Sequence, residues 1–422
     1  MIYTAIGSPE TVLTDEDLQR HLFEAFEAMG PRKKVLAVPP DFTRLNSRAG
    51  PLTCMTHAYY GEALVDVMPA LGTHVPMPDW QLDRMYPSVP KSLIREHDWR
   101  NDVVTVGEVP ADFVSEATEG IYTKPWPAQM NRLLWEGGHD LILSLGQVVP
   151  HEVIGMANYT KNIFVGTGGV KGINESHFIG AAYGMERMMG RADTPLRRIL
   201  NEAADRFCSH LPLMYVLTVI GPDGKGGLVT RGLYIGDSHD CFEKAAALSL
   251  QVNFNMLDEA PRKVVVYLDP EEFHSTWLGN KAIYRTRMAI ADGGELVVLG
   301  PEVGTFGEDK EIDRLIRKYG YRTTPEVMGF VEQHEDIRNN LSAAAHLIHG
   351  SSEGRFRVTY CPGKLTREEV EGVGYSYGHL AEVSERYPVA ELRDGWNERN
   401  GERFYFISNP ALGLWAHPSR FA

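Results

Sequence analysis

What most constrains this chain is a unit that recurs three times before residue 152: a short apolar run, a polar loop directly after it, and a helical pattern before the next run. Lys34 to Pro40 (KVLAVPP) leads into DFTRLNSRAG, Val67 to Leu71 (VMPAL) into Gly72-Thr73-His74, and Leu141 to Leu145 (LILSL) into Gly146-Gln147-Val148-Val149-Pro150-His151. Strands that alternate with helices pair in parallel, and a parallel sheet needs both faces covered. The pattern therefore predicts an α/β fold with mostly parallel sheets flanked by helices. In such sheets ligands collect outside the strands' carboxyl ends. Asp41 and Arg44, His74, and His151 each stand just past such an end and are expected to converge on one crevice.

The remaining punctuation fits this plan. Thr14 is a plausible N-cap for a helix with acids in its first turn and Leu18, Leu22, Phe23 and Phe26 at helical spacing, ended by Gly30-Pro31. Asn162 to Val165 (NIFV) reads as a strand running into GTGGVKG, with a helix starting near Ser176 whose apolar face (Phe178, Ala181, Ala182, Met185, Met189) is expected in the core. Residues 215–237 read as two strands around PDGKGG, followed by a helix near 239–252. At Arg262-Lys263 a second alternation opens with VVVYLDP, then a helix near 279–290, a strand at 295–299 and a helix near 309–318. Two domains are expected, 1–261 and 262–422; the last stretch, GERFYFISNPALGLWAHPSRFA, has no firm assignment.

Charge and composition narrow the partners. Lys+Arg 42 against Asp+Glu 56 leaves a net charge of −14 over 422 residues, without long single-sign blocks. A phosphate backbone or an anionic membrane meets net repulsion, so neither nucleic acid nor a membrane is an expected partner. Cys54, Cys208, Cys241 and Cys361 lie far apart, which suggests neither a disulfide framework nor a cysteine zinc site. The first residues carry no basic segment leading into an apolar one, and no run approaches the roughly 18 apolar residues that span a bilayer. The expectation is a cytoplasmic protein acting on a small molecule.

Taken singly, the motifs are weak. Gly166, Gly168 and Gly172 are spaced G-x-G-x-x-x-G, not the G-x-G-x-x-G of dinucleotide sites, so the segment reads as a tight turn or an anion-binding loop. Asp41-Phe42-Thr43-Arg44 offers a carboxylate, a hydroxyl and a guanidinium on one loop, and reads equally as an N-cap aspartate with a surface arginine. His74 and His151 are each compatible with structural histidines.

Taken together they are specific. In HEVIGMANYTKNIFVGTGGVKGINESHF, His151 is followed by Gly155 four residues on, Lys161 ten on, and His177 sixteen beyond the lysine. That register resembles the nickel-pincer nucleotide dependent lactate racemase family. The family's D-x-T-R loop is matched at Asp41, Thr43 and Arg44, and its G-T-H element at Gly72, Thr73 and His74, in the same chain order. Two departures stand out. Ala157-Asn158-Tyr159-Thr160 replaces a glycine-rich stretch before the lysine, and Leu278 replaces the glutamine of a Q-x-x-K pair whose lysine is Lys281. The second departure, together with the segments KNIFVGTGG and SHFIGAAYGMERMMGRADTP, resembles a branch associated with sugar acids such as gluconate and mannonate.

The resemblance implies a racemase or epimerase that inverts C2 of a 2-hydroxy acid, an aldonate or a lactate-like acid, in a cleft between a catalytic, cofactor-binding first domain and the second. Hydride leaves C2 to give a 2-keto acid and returns on the opposite face; side chains offer no hydride acceptor, so a cofactor is required. The implied cofactor is the nickel-pincer nucleotide, made by separate maturation enzymes and tethered through Lys161, with Lys171 as the other candidate. The resemblance puts Asp41, Thr43, Gly168 and Gly169 on the nucleotide and His177 on the nickel. His74 and His151 become the two proton-transfer groups, and Arg44 with Lys281 grips the substrate carboxylate. Two alternatives stay open: a hydrolase or lyase using a conventional metal on His151, His177 and Glu175, and a non-catalytic nickel- or nucleotide-binding protein.

Overall fold

The computed structural model describes residues 1–225, 227–411 and 413–421. Gly226, in the PDGKGG turn, lies outside them. The chain divides into two compact units, Met1–Ser176 with Met189–Asn253, and His177–Met188 with Phe254–Ala422.

The first unit carries strands β1 (Ile2–Gly7), β2 (Val35–Val38), β3 (Leu64–Val67), β4 (Val103–Val109), β5 (Trp126–Asn131), β6 (Leu141–Gln147), β7 (Pro150–His151), β8 (Gly155–Met156), β9 (Leu213–Pro222) and β10 (Leu228–Gly236). Six form a sheet in the order β1-β10-β9-β6-β2-β3. The pairs β2 with β3, β2 with β6 and β6 with β9 are parallel; β1 and β10 add an antiparallel edge. Its helices include α1 (Asp15–Met29), α2 (Ala49–Tyr60), the start of α3 (Val170–Tyr183), α4 (Pro195–Phe207) and α5 (His239–Asn253).

Helix α1 forms as its sequence predicts. Thr14 accepts from the Asp17 N–H while the Asp17 carboxylate takes the Thr14 N–H, a reciprocal cap typically worth about 1 kcal/mol. Its Leu18, Leu22 and Phe26 are buried with Val35, Ala37, Leu141, Leu143 and Val216, so the core sits beneath the parallel strands whose ends bear the candidate residues. Fully burying each such side chain contributes roughly 1.5–3 kcal/mol.

The second unit repeats the logic with strands β11 (Phe254–Met256), β12 (Lys263–Tyr267), β13 (Glu295–Gly300), β14 (Arg357–Pro362), β15 (Ser376–Tyr377), β16 (Gly395–Arg399), β17 (Glu402–Ile407) and β18 (Leu414–Ala416). Its sheet runs β15-β14-β13-β12-β17-β16, parallel except for the β16 and β17 pair. Val265, Val297, Leu299, Phe404 and Phe406 form its core. The fold is thus α/β with mostly parallel, helix-flanked sheets. Among the described residues no helix is long and apolar enough to cross a membrane.

Several local expectations shift. The strand expected at 67–71 is β3, three residues earlier, and beyond it Met68 and Ala70 still bond the Ala37 and Pro39 carbonyls, with an isolated parallel bridge between Pro40 and Ala70. NIFV is not a strand but a π-helical turn, Asn162–Gly166, and helix α3 begins at Val170, ahead of Ser176. The helix expected over 279–290 is two short turns, Thr276–Gly279 and Lys281–Tyr284. The expected division at 261 and 262 also differs from the compact units. Phe254–Met256 pairs with Leu414–Ala416, and Glu186 bonds Arg287 at 3.3 Å and Arg355 at 3.0 Å, drawing both segments into the second unit.

Candidate active site

Past the end of β2, the Asp41 carboxylate is 5% exposed and caps a short turn. One oxygen accepts from the Thr43 N–H at 3.2 Å and the Thr43 hydroxyl at 2.5 Å. The other meets His74 Nδ1 at 2.6 Å, which joins the loop after β2 to the loop after β3. Burial pushes the Asp41 carboxyl up, but the His74 hydrogen bond and charge, with Thr43 and Arg44, outweigh it and hold the group below its usual range. An ionised Asp41 makes Nδ1 of His74 the donor, so in the neutral ring Nε2 is the atom that can accept a proton. The His74 side chain is 45% exposed, within reach of a ligand.

His151 ends β7 and is buried in the short β7–β8 hairpin. Its Nδ1 accepts from the Val153 N–H at 3.1 Å, whereas Glu152 lies at 3.7 Å, beyond hydrogen-bond range. The neutral ring therefore carries its proton on Nε2. The two rings thus differ in what engages Nδ1, a carboxylate at His74 and a backbone N–H at His151.

Lys161 stands where the chain re-enters this region. Its neighbour Asn162 is buried and donates to the Val38 carbonyl at 3.1 Å and the Ser144 hydroxyl at 2.9 Å, pinning the turn against the carboxyl ends of β2 and β6. The half-buried Lys161 amine makes no hydrogen bond or ion pair among the described residues. Burial first, then the Arg44 guanidinium and Arg197, against Glu152 and Asp41, bring it down to about 8. Arg44 likewise has no ion-pair or hydrogen-bond partner for its guanidinium among the described residues. Lys171, the other tether candidate, is exposed in the first turn of α3. His177 is half-buried on the same helix, and in the second unit Lys281 lies 5.3 Å over the Phe273 ring and 3.7 Å from Glu272.

The glycines after Lys161 have a packing explanation. A Cβ at Gly168 would stand 2.0 Å from the Phe164 carbonyl oxygen, and one at Gly169 would stand 2.6 Å from Gln129 Oε1. The space beside both is filled by the chain itself. Among the described residues, no three His, Cys, Asp or Glu side chains gather closely enough to hold a metal ion alone, and Glu175 hydrogen-bonds Tyr122. Sequence reasoning missed Asn162 and His97. Asn162 carried only a weak signal, an amide beside the lysine in an apolar run.

His97 is 3% exposed; its Nε2 donates to the Gly168 carbonyl at 3.0 Å and its Nδ1 lies 3.1 Å from Asn131 Nδ2, so it anchors the glycine loop. Burial, against the Gly168 bond and the nearby Asp102 and Asp98, pushes it down to about 4. The unfolded chain accepts that proton at about 6.5, so the stabilisation is complete above pH 6.5 and is lost as the pH falls towards 4, to the extent of about 3 kcal/mol. His97→Gln should therefore be less stable than the parent at pH 7 yet lose less stability on going to pH 4.5. Denaturant unfolding at both pH values checks this, and equal losses in the two proteins would contradict it.

No family model matches the chain, and no curated protein matches it in sequence. Solved structures do. A crystal structure of a Thermotoga maritima protein from a structural genomics consortium superposes with a TM-score of 0.82 at 23% identity, covering 98% of this chain and 100% of that one. The lactate racemase apoprotein of Thermoanaerobacterium thermosaccharolyticum superposes with a TM-score of 0.70 at 16% identity, covering 97% of this chain and 94% of that one. At these identities the likeness is one of fold.

Proposed function

We propose that this protein is an isomerase that inverts C2 of a 2-hydroxy acid, an aldonate or a lactate-like acid, using a nickel-pincer nucleotide attached through Lys161. The observation that carries the reading is two cations, Arg44 and Lys161, near one another and without a carboxylate ion pair among the described residues, beside the Asp41–His74 pair. In a chain of net charge −14, uncompensated neighbouring cations are a built invitation to an anion. The fold shared with a lactate racemase and the chain-order match of D-x-T-R, G-T-H and the His151 to His177 register support it.

The residues present suit such a cofactor. An unengaged amine held near 8 is a competent nucleophile near neutral pH, which a covalent tether requires, and His177 offers an imidazole donor of the kind nickel accepts. When bound, the cofactor supplies the hydride acceptance that side chains cannot. The chain's own groups do the rest. Arg44 holds the substrate carboxylate, bidentate if both guanidinium nitrogens engage. His74, oriented by Asp41, takes the hydroxyl proton at Nε2 and becomes an imidazolium, and His151, in its imidazolium form, returns a proton to the oxygen when the carbonyl is reduced from the other face and becomes neutral. Running in the opposite direction exchanges the two roles.

The test is protein produced together with the pincer maturation enzymes and offered a panel of 2-hydroxy acids in deuterated water. Inversion with the original C2 hydrogen retained is the expected result. Extensive solvent deuterium at C2 would replace hydride transfer with an enolate route. Loaded protein that turns over none of the panel would favour a binding role.

A further inference from the structure

The side chain of Arg197, on the first turn of α4, is 1% exposed, and no carboxylate pairs with it among the described residues. A buried cation without a counter-ion is costly, so its hydrogen bonds matter. It donates to the Met156 carbonyl at 2.7 Å, the Asn158 carbonyl at 3.1 Å and the Thr160 hydroxyl at 2.8 Å. All three acceptors lie in the five residues before Lys161. Thr160 passes its own proton to Asn201 Oδ1 at 2.9 Å, one turn further along α4 and on the same face.

The segment so held is strained. Asn158 and Tyr159 are successive non-glycine residues in the left-handed region, at φ 68° and 58°. L-residues other than glycine adopt this region only at a cost, Asn at the least. Tyr159 is kept there by rings: Tyr215 at 4.3 Å and Phe242, stacked at 5.2 Å, with the Arg197 guanidinium itself 4.3 Å over Phe242. On the far side of Lys161, Asn162 is fixed to β2 and β6. The backbone is therefore clamped on both sides of a lysine whose amine makes no hydrogen bond or ion pair among the described residues.

We propose that Arg197 is a positioning residue for Lys161: it locks residues 156–160 in a strained left-handed form that presents the lysine amine beside Arg44. The clamp also explains how this chain dispenses with glycines before the lysine, since rings and a guanidinium hold the φ values that glycine adopts freely. The inference concerns the unloaded chain, so it stands or falls apart from the nickel-dependent reading.

The experiment is competitive amine acylation of the apoprotein over pH 6–11 with peptide mass mapping, which reports the midpoint of each lysine. The groups facing Lys161 are Arg44, Asp41 with its partner His74, Glu152 and Arg197. In the parent protein Lys161 should become reactive around pH 8. In Arg197→Met both the nearby charge and the clamp are gone, and the Lys161 midpoint should rise by about one unit or more, a roughly fivefold or greater loss of free amine at pH 8. Arg197→Lys should restore part of it. Denaturant unfolding of each variant, run beside the labelling, separates positioning from a general loss of structure. Should Arg197→Met fail to fold, Thr160→Val, which keeps shape and removes one bond, is expected to lower Lys161 labelling at pH 8 about threefold. An unchanged Lys161 midpoint in whichever of these variants folds overturns the proposal.

Discussion

Lys161→Ala is expected to yield a folded protein with no nucleotide adduct and no 2-hydroxy-acid turnover, even when made alongside the maturation enzymes. The fold should survive because the amine makes no hydrogen bond or ion pair among the described residues, and its removal relieves repulsion from Arg44. Lys161→Arg is the sharper partner experiment. It keeps the positive charge beside Asp41 and Glu152, but a guanidinium stays protonated and does not act as the nucleophile. Both variants should therefore show the unmodified mass, with unfolding midpoints close to the parent. Intact mass and peptide mapping decide the matter: an adduct persisting in Lys161→Ala, or found on Lys171, would move the tether away from this position.

The second large effect concerns the Asp41–His74 pair. With adduct content held equal, His74→Ala should lower turnover by about 10²–10⁴-fold, the usual contribution of a positioned general base. Asp41→Asn keeps volume and the bond to Thr43 but replaces the carboxylate that makes His74 Nδ1 a donor. An amide can present either atom to the ring, so the wrong tautomer becomes accessible and turnover should fall by a similar order. Because both changes disable one unit, the double variant should be little worse than His74→Ala alone. Additive losses in that cycle would assign Asp41 a separate task, and full turnover in His74→Ala would remove the residue from the reaction.

How much of this was legible can be read from individual residues. The strand-end positions of Asp41, His74 and His151 followed from apolar runs interrupted by polar loops, because burial on a parallel sheet is written into consecutive residues. The Lys161 register was legible as spacing alone. The function of Asn158 and Tyr159 was not, since neither residue type announces a left-handed backbone as glycine does. NIFV looked like a strand because a short buried apolar run has no period that distinguishes strand from helix. Arg197 stands 36 residues after Lys161 in a segment whose amphipathic pattern suggests only a helix, and its inward direction is set by what α4 packs against.

By itself, then, the sequence determined the alternation of strand, loop and helix, the capped α1, the net negative charge, and which chemistry-bearing side chains follow the apolar runs. These are properties of neighbours in the chain, set by local propensity and by periodic burial. Only the tertiary structure decided that Asp41 meets His74 across 33 residues, that the Val153 N–H engages Nδ1 of His151, and that Arg44 and Lys161 stay unpaired among the described residues. It also drew 177–188 and 254–261 into the second unit. The reason is physical: a hydrogen bond needs about 3 Å and a direction, and both depend on the three-dimensional path of loops whose spacing in sequence leaves that path open.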